Sequence, residues 1–214
     1  MNKLEIKKIK LSSGNENDVF MVDDIPLYHY MEKWISNNQK LKDFLLCLDE
    51  LAVCWTNDMD FEGDIRFIKF VLSKHTAVTP ILSCPDDMDF SCVVIVADVV
   101  EQGDKIIWKR IGRVDHSNES CFDEVRSGIL CLETYTDEDW KLYGDNVGSS
   151  ELDSEEWLEW IGNNWSEELY RRRVNYTFPY YQEEKNIRWF GDCNFVFDKK
   201  EYENLIQKCF SDEE

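Results

Sequence analysis

The stretch TAVTPILSCPDDMDFSCVVIVADVVEQGDKIIWKRIGRV, residues 76–114, decides the fold class. Residues 76–83, 91–100 and 105–114 are strand-length runs rich in Val and Ile, and turn residues separate them. The connection Gly103-Asp104 has two residues with Gly first, the pattern of a tight hairpin whose leading residue takes a positive φ. Connections this short join antiparallel neighbours. The middle run, Cys92-Val93-Val94-Ile95-Val96-Ala97, is apolar at consecutive positions. Both of its faces are therefore predicted to be covered, which places it at the centre of a sheet.

Upstream, residues 4–11 and 19–22 read as strands, with turns at Gly14-Asn15 and Asp23-Asp24. The spacing Leu27, Tyr30/Met31, Trp34/Ile35 predicts a helix over 27–35, with Pro26 at a strand end or in the first helical turn. Residues 41–55 support a helix in their first part and a strand at Leu51-Ala52-Val53-Cys54-Trp55, and residues 64–73 fit a helix or a buried strand. Downstream, 127–134 reads as a strand and 153–165 as an amphipathic helix capped by Asp153 or Ser154. A short second helix precedes Arg171, Arg172 and Arg173, and Phe178-Pro179-Tyr180-Tyr181 is expected to break regular structure. A last strand at 195–197 leads to Asp198, the expected cap of a helix over 199–210 with Tyr202, Leu205, Ile206 and Cys209 inward. The expectation is a single α+β domain over 1–214, a largely antiparallel sheet with helices packed on it.

The chain has 214 residues and a net charge of -20, with 44 acidic against 24 basic side chains. Such a surface repels nucleic acid and anionic lipid, both of which need Lys and Arg to displace counterions, and it attracts basic proteins. Its 8 Trp, 9 Tyr and 12 Phe separate it from disordered acidic chains, which are poor in aromatics. The first residues lack the apolar core of a signal peptide, and no run approaches a membrane span. A cytoplasmic protein is expected, with its 8 cysteines reduced. No two cysteines form C-x-x-C, and no Cys/His spacing is that of a zinc site; most sit among apolar neighbours, where a thiol acts as a small hydrophobe.

Catalytic motifs are missing: there is no Gly-rich phosphate loop, no Gly-flanked serine and no nucleophile signature. Asp58-Met59-Asp60-Phe61-Glu62-Gly63 opens like a calcium loop, but its twelfth position is Lys69 where a bidentate Glu is required, so it reads as a polar loop. Asp86, Asp87 and Asp89 crowd the turn after Pro85 and read first as a solvated tip. No metal, cofactor or catalytic residue is assigned.

The acidic charge is concentrated instead. Residues 132–169 hold twelve acidic residues against Lys141 alone, together with Trp140, Trp157, Trp160 and Trp165. On the 153–165 helix the tryptophans share a stripe, while Glu155, Glu156 and Glu159 lie away from most of it. An aromatic core stripe with a solvated back accounts for part of this pattern. A docking face for a cationic partner accounts for the charge density, which self-repulsion otherwise penalises. The expected contact set is Asp137, Glu138, Asp139, Trp140, Glu155, Glu156 and Glu159, with the three arginines at 171–173 neutralising part of the cluster in cis.

In length, acidity and Trp-rich α+β patterning, and in the runs Thr136-Asp137-Glu138-Asp139-Trp140 and Ser154-Glu155-Glu156-Trp157, the chain resembles immunity proteins of bacterial polymorphic-toxin and contact-dependent inhibition systems. The resemblance is to the class and assigns no residue a role. It implies a cytosolic, non-enzymatic protein that covers the active site of a basic toxin domain, often a nuclease. Two alternatives stand beside it: a metal-dependent enzyme using Asp86, Asp87 and Asp89, and an acidic protein without a dedicated partner.

Overall fold

A computed structural model describes residues 1–11, 14–38, 41, 48–118, 135–143, 160–161 and 163–211. The fold is α+β, with two antiparallel sheets of three and five strands and helices packed against strands. Contacts divide the chain into two compact units, one formed by residues 1–115 and 187–214 and the other by 116–186. The second unit is an insertion between two neighbouring strands of the first.

In the first unit, β1 (Leu4–Lys10), β2 (Glu16–Val22) and β3 (Ile25–Pro26) form the three-stranded sheet. Asp23 and Asp24 both take positive φ, 52° and 62°, in a two-residue loop between Val22 and its partner Ile25. Asp tolerates that left-handed geometry, and the primed turn matches the strand twist. Helix α1 (Leu27–Ser36) follows directly and buries Leu27, Met31 and Ile35. The second sheet runs β4 (Ala52–Val53), β5 (Ala77–Ser83), β6 (Val94–Gln102), β7 (Lys105–Val114) and β8 (Ile187–Asp198), in that spatial order. The three strands of the opening stretch are thus consecutive neighbours. β6 sits in the middle with Val94, Ile95, Val96 and Ala97 all buried, as its two-sided apolar character requires. Gly103 takes φ 64° between Gln102 and Lys105.

Helix α2 (Glu62–Lys74) resolves the ambiguity of 64–73: Phe67, Ile68, Val71 and Leu72 are buried at helical spacing. Glu62 and Gly63 belong to this helix, so the calcium-like loop is interrupted by helix where its later ligands would lie. The core gathers aromatic side chains from both sheets and a helix. Trp108 lies 5.9 Å from Phe20, 6.2 Å from Trp55 and 5.3 Å from Phe197, ring centroid to centroid, all edge-to-face.

β8 extends far beyond the predicted 195–197. Two bulges hide it. Opposite Trp108 and Arg110 it carries one extra residue between Phe195 and Asp192, and opposite Ile111 and Gly112 one extra between Gly191 and Trp189. Each bulge shifts the alternation by one residue. Asn194 takes φ 50° at the first. At the second, a Cβ on Gly112 would lie 2.7 Å from the Arg188 carbonyl, so only glycine fits there.

Asp198 then caps the final helix of the unit, Lys199–Cys209, accepting the Glu201 amide at 3.0 Å. Asp198→Ala should cost about 1 kcal/mol, read as a lower urea midpoint with an unchanged slope; an unchanged midpoint would show the cap to be idle.

The inserted unit contains helices α3 (Asp137–Tyr143) and α4 (Ser166–Gln182), so the last helix of the chain is α5. Residues 160, 161, 163 and 164 are helical, whereas residues 153–159 of the predicted helix and all of the predicted strand 127–134 lie outside the described residues. α4 corrects two expectations. Arg171, Arg172 and Arg173 lie within it rather than after it, and Pro179 sits inside it without ending it. Only three residues follow Pro179 in the helix, so little of the hydrogen-bond ladder is lost. The terminus is held instead by Asn186, whose Nδ2 donates to the Tyr180 carbonyl at 2.9 Å.

Candidate partner-binding surface

The inner stripe of α4 is built from polar residues. Glu168, Arg171, Arg172 and Asn175 are all buried, at helical spacing. Buried charge at such a stripe requires local partners. Arg171 Nη2 donates to Asp139 Oδ2 at 2.5 Å, and its Nη1 lies 3.7 Å from Glu168 Oε2. Arg172 Nε donates to Glu168 Oε1 at 3.3 Å, and the Tyr135 hydroxyl donates to the same oxygen at 3.0 Å. The Arg171 guanidinium also stands over the Tyr135 ring, 4.8 Å from its centroid. Two acids and two arginines are thus brought together with matching charge.

Asp139 is therefore a correction to the expected contact set. Only 8% of it is exposed. It is the inward member of a capping box: the Thr136 amide donates to Asp139 Oδ2 at 2.8 Å, and the Asp139 amide donates to Thr136 Oγ1 at 3.2 Å. The pattern Thr-x-x-Asp at 136–139 is a readable signal of this start, and it places the fourth residue against the backbone. Burial pushes the Asp139 carboxyl up, but the Thr136 hydroxyl and amide and the Arg171 charge outweigh it and hold it below the ordinary aspartate value. Glu168 goes the other way, because burial outweighs Arg172, Tyr135 and Arg171 and raises it. Arg171 does neutralise part of the acidic segment in cis, as the sequence suggested.

Asp137 and Glu138 remain exposed in the first turn of α3, where the helix dipole favours anions. Trp140 is 41% exposed and Leu142 59%. Four of the seven exposed large apolar side chains among the described residues, namely Trp140, Leu142, Trp160 and Leu169, belong to the inserted unit. Glu155, Glu156 and Glu159 lie outside the described residues. No family model matches the chain, and no curated protein or solved structure matches it.

The remaining candidates separate clearly. Asp86, Asp87 and Asp89 do not converge: Asp89 Oδ1 accepts the Ser91 amide at 2.8 Å and hydroxyl at 2.7 Å, while Asp87 faces two thiols. His75 closes α2 at φ 54° with Nδ1 2.9 Å from Glu101, and exposed His29 pairs with Glu32 at 3.0 Å. Burial raises the Cys193 and Cys209 thiols to about 11 and Cys54 well above its ordinary value, so these three are neutral small hydrophobes. The first unit also has a cavity of about 600 Å³ lined in part by Asp18, Trp55, Asp58, Met88, Lys208 and Cys209. Among the described residues, no helix is long and apolar enough to cross a membrane.

Proposed function

We propose that this protein is a cytoplasmic inhibitor of the immunity type, which binds a basic toxin domain through the inserted unit and blocks its active site. One observation carries this reading: α3 presents the carboxylates of Asp137 and Glu138 beside exposed Trp140 and Leu142. Its first turn is pinned from behind by Asp139 and Arg171. An anionic rim beside an aromatic anchor, held on an ordered helix, is the composition of a protein-binding surface. The cationic site of a nuclease, evolved to hold phosphates, complements it, and the net charge of -20 steers such a partner from a distance. Asp139 acts as a positioning residue in this scheme, and Asp137, Glu138 and Trp140 make contact. Glu155, Glu156 and Glu159 extend the same anionic segment.

This reading expects a neighbouring gene to encode the basic toxin domain, and the test is association kinetics with that gene's product. The double variant Asp137→Lys/Glu138→Lys should lower the association rate about tenfold at low salt, with the difference shrinking as salt screens it. Wild-type binding with an unchanged rate for the double variant would remove this helix from the interface. No binding by the wild-type chain, and no inhibition of the toxin domain, would overturn the proposal itself.

A further inference from the structure

We propose that Cys84, Asp87 and Cys92 form a binding site for a thiophilic divalent cation, zinc in the first instance. The site belongs to the first unit and is independent of the docking proposal. The two thiols and the carboxylate lie within 4.8 Å of one another, the one such grouping of potential ligands among the described residues. The sequence conceals it, because seven residues separate the cysteines and the carboxylate falls between them. The fold brings them together at the β5–β6 connection. The Cys84 amide donates to the Val93 carbonyl at 3.1 Å and closes the neck, and the Met88 amide donates to the Cys84 carbonyl at 3.1 Å inside it. Met88 takes φ 44° to complete the turn.

The geometry suits zinc. Tetrahedral zinc with Zn–S of about 2.3 Å sets its sulfurs about 3.8 Å apart, so ligand atoms already within 4.8 Å need to close by about an ångström or less. The donor set selects the metal: two thiolates favour zinc over magnesium or calcium, which require oxygen ligands. Three protein ligands leave a fourth position for water. Cys84 is half-buried, while Asp87 and Cys92 are exposed, so a cation can enter from solvent. This arrangement differs from the three-aspartate site considered from sequence: Asp87 alone is retained, and the thiols replace its neighbours.

The test is titration of the full-length, phosphine-reduced protein with Co²⁺, followed by displacement with Zn²⁺. The expected result is one equivalent of Co²⁺ with sulfur-to-cobalt charge-transfer absorption, lost on adding Zn²⁺. The Cys84→Ser/Cys92→Ser variant should lose the band, Cys193→Ser should keep it, and Asp87→Asn should weaken binding by about tenfold or more. As a check that does not depend on how the variants fold, bound Zn²⁺ should protect Cys84 and Cys92 of the wild-type chain from alkylation, read by peptide mass spectrometry. The proposal is overturned if the reduced wild-type chain gives no charge-transfer band, if the double variant retains it, or if Cys84 and Cys92 of the reduced chain alkylate as fast with Zn²⁺ present as without it.

Discussion

Replacing Arg171 with alanine is expected to destabilise the inserted unit by about 3–5 kcal/mol, the usual cost of removing one partner from a buried ion pair. The loss would come mainly from what remains behind. Asp139 and Glu168 are both buried; Asp139 would lose the guanidinium it bonds, and Glu168 would be left with Arg172 alone of its two arginines. Arg171→Lys should recover part of the loss, because an ammonium restores charge without the planar fork. The effect should depend on pH. The Asp139 value is depressed in the fold, so its contribution is present above the ordinary aspartate range and is lost as pH falls through the depressed value. Glu168 is raised, so its contribution is fullest below the ordinary glutamate value and is lost as pH rises through the raised one. Without Arg171 the carboxylates become easier to protonate. The gap between variant and wild type should therefore be widest near neutrality and narrow in acid. Urea denaturation followed by circular dichroism at a series of pH values measures this. A neutral-pH loss below about 1 kcal/mol would mean that water or other groups take over the carboxylates.

What the sequence disclosed follows from how far each element obeys the usual link between burial and polarity. β6 was legible because Val94, Ile95, Val96 and Ala97 are apolar at every position and buried at every position. The Asp198 cap was legible because its geometry is local, within three residues. β8 was not, because its two bulges interrupt the alternation that a strand search requires. α4 was not, because its buried stripe consists of Glu168, Arg171, Arg172 and Asn175, which an apolar-periodicity reading assigns to solvent. The same inversion misplaced Asp139: charge density located the acidic segment correctly but could not say which carboxylates face inward. Asp137 and Glu138 face solvent, while Asp139 and Glu168 face their arginines. The Cys84, Asp87 and Cys92 grouping depends on how a loop folds between two strands, and spacing alone carries no sign of it.

Trp108→Ala is expected to be the most damaging single substitution in the first unit, at about 4–5 kcal/mol. The side chain is fully buried on β7, next to the central strand, and four aromatic rings pack on it: Phe20, Trp55, Phe197 and Tyr202. These rings come from β2, the segment after β4, β8 and α5, so the vacancy cannot be filled by movement of one element. Truncation also removes a buried hydrogen bond, since Trp108 Nε1 donates to the Tyr202 hydroxyl at 3.2 Å. Trp108→Phe separates the two losses. It keeps most of the ring volume and should cost about 1–3 kcal/mol, part of it from the Tyr202 hydroxyl left without its donor. A double-mutant cycle with Tyr202→Phe should return about 1 kcal/mol of coupling between the indole and the phenol. Domains of this kind are stable by about 5–15 kcal/mol, so Trp108→Ala removes between about a quarter and all of that margin. Thermal and urea melts of the three variants decide the matter. A Trp108→Ala cost below about 2 kcal/mol would mean that the aromatic core collapses into the vacancy, and that these five rings are packed by volume alone rather than by their edge-to-face arrangement.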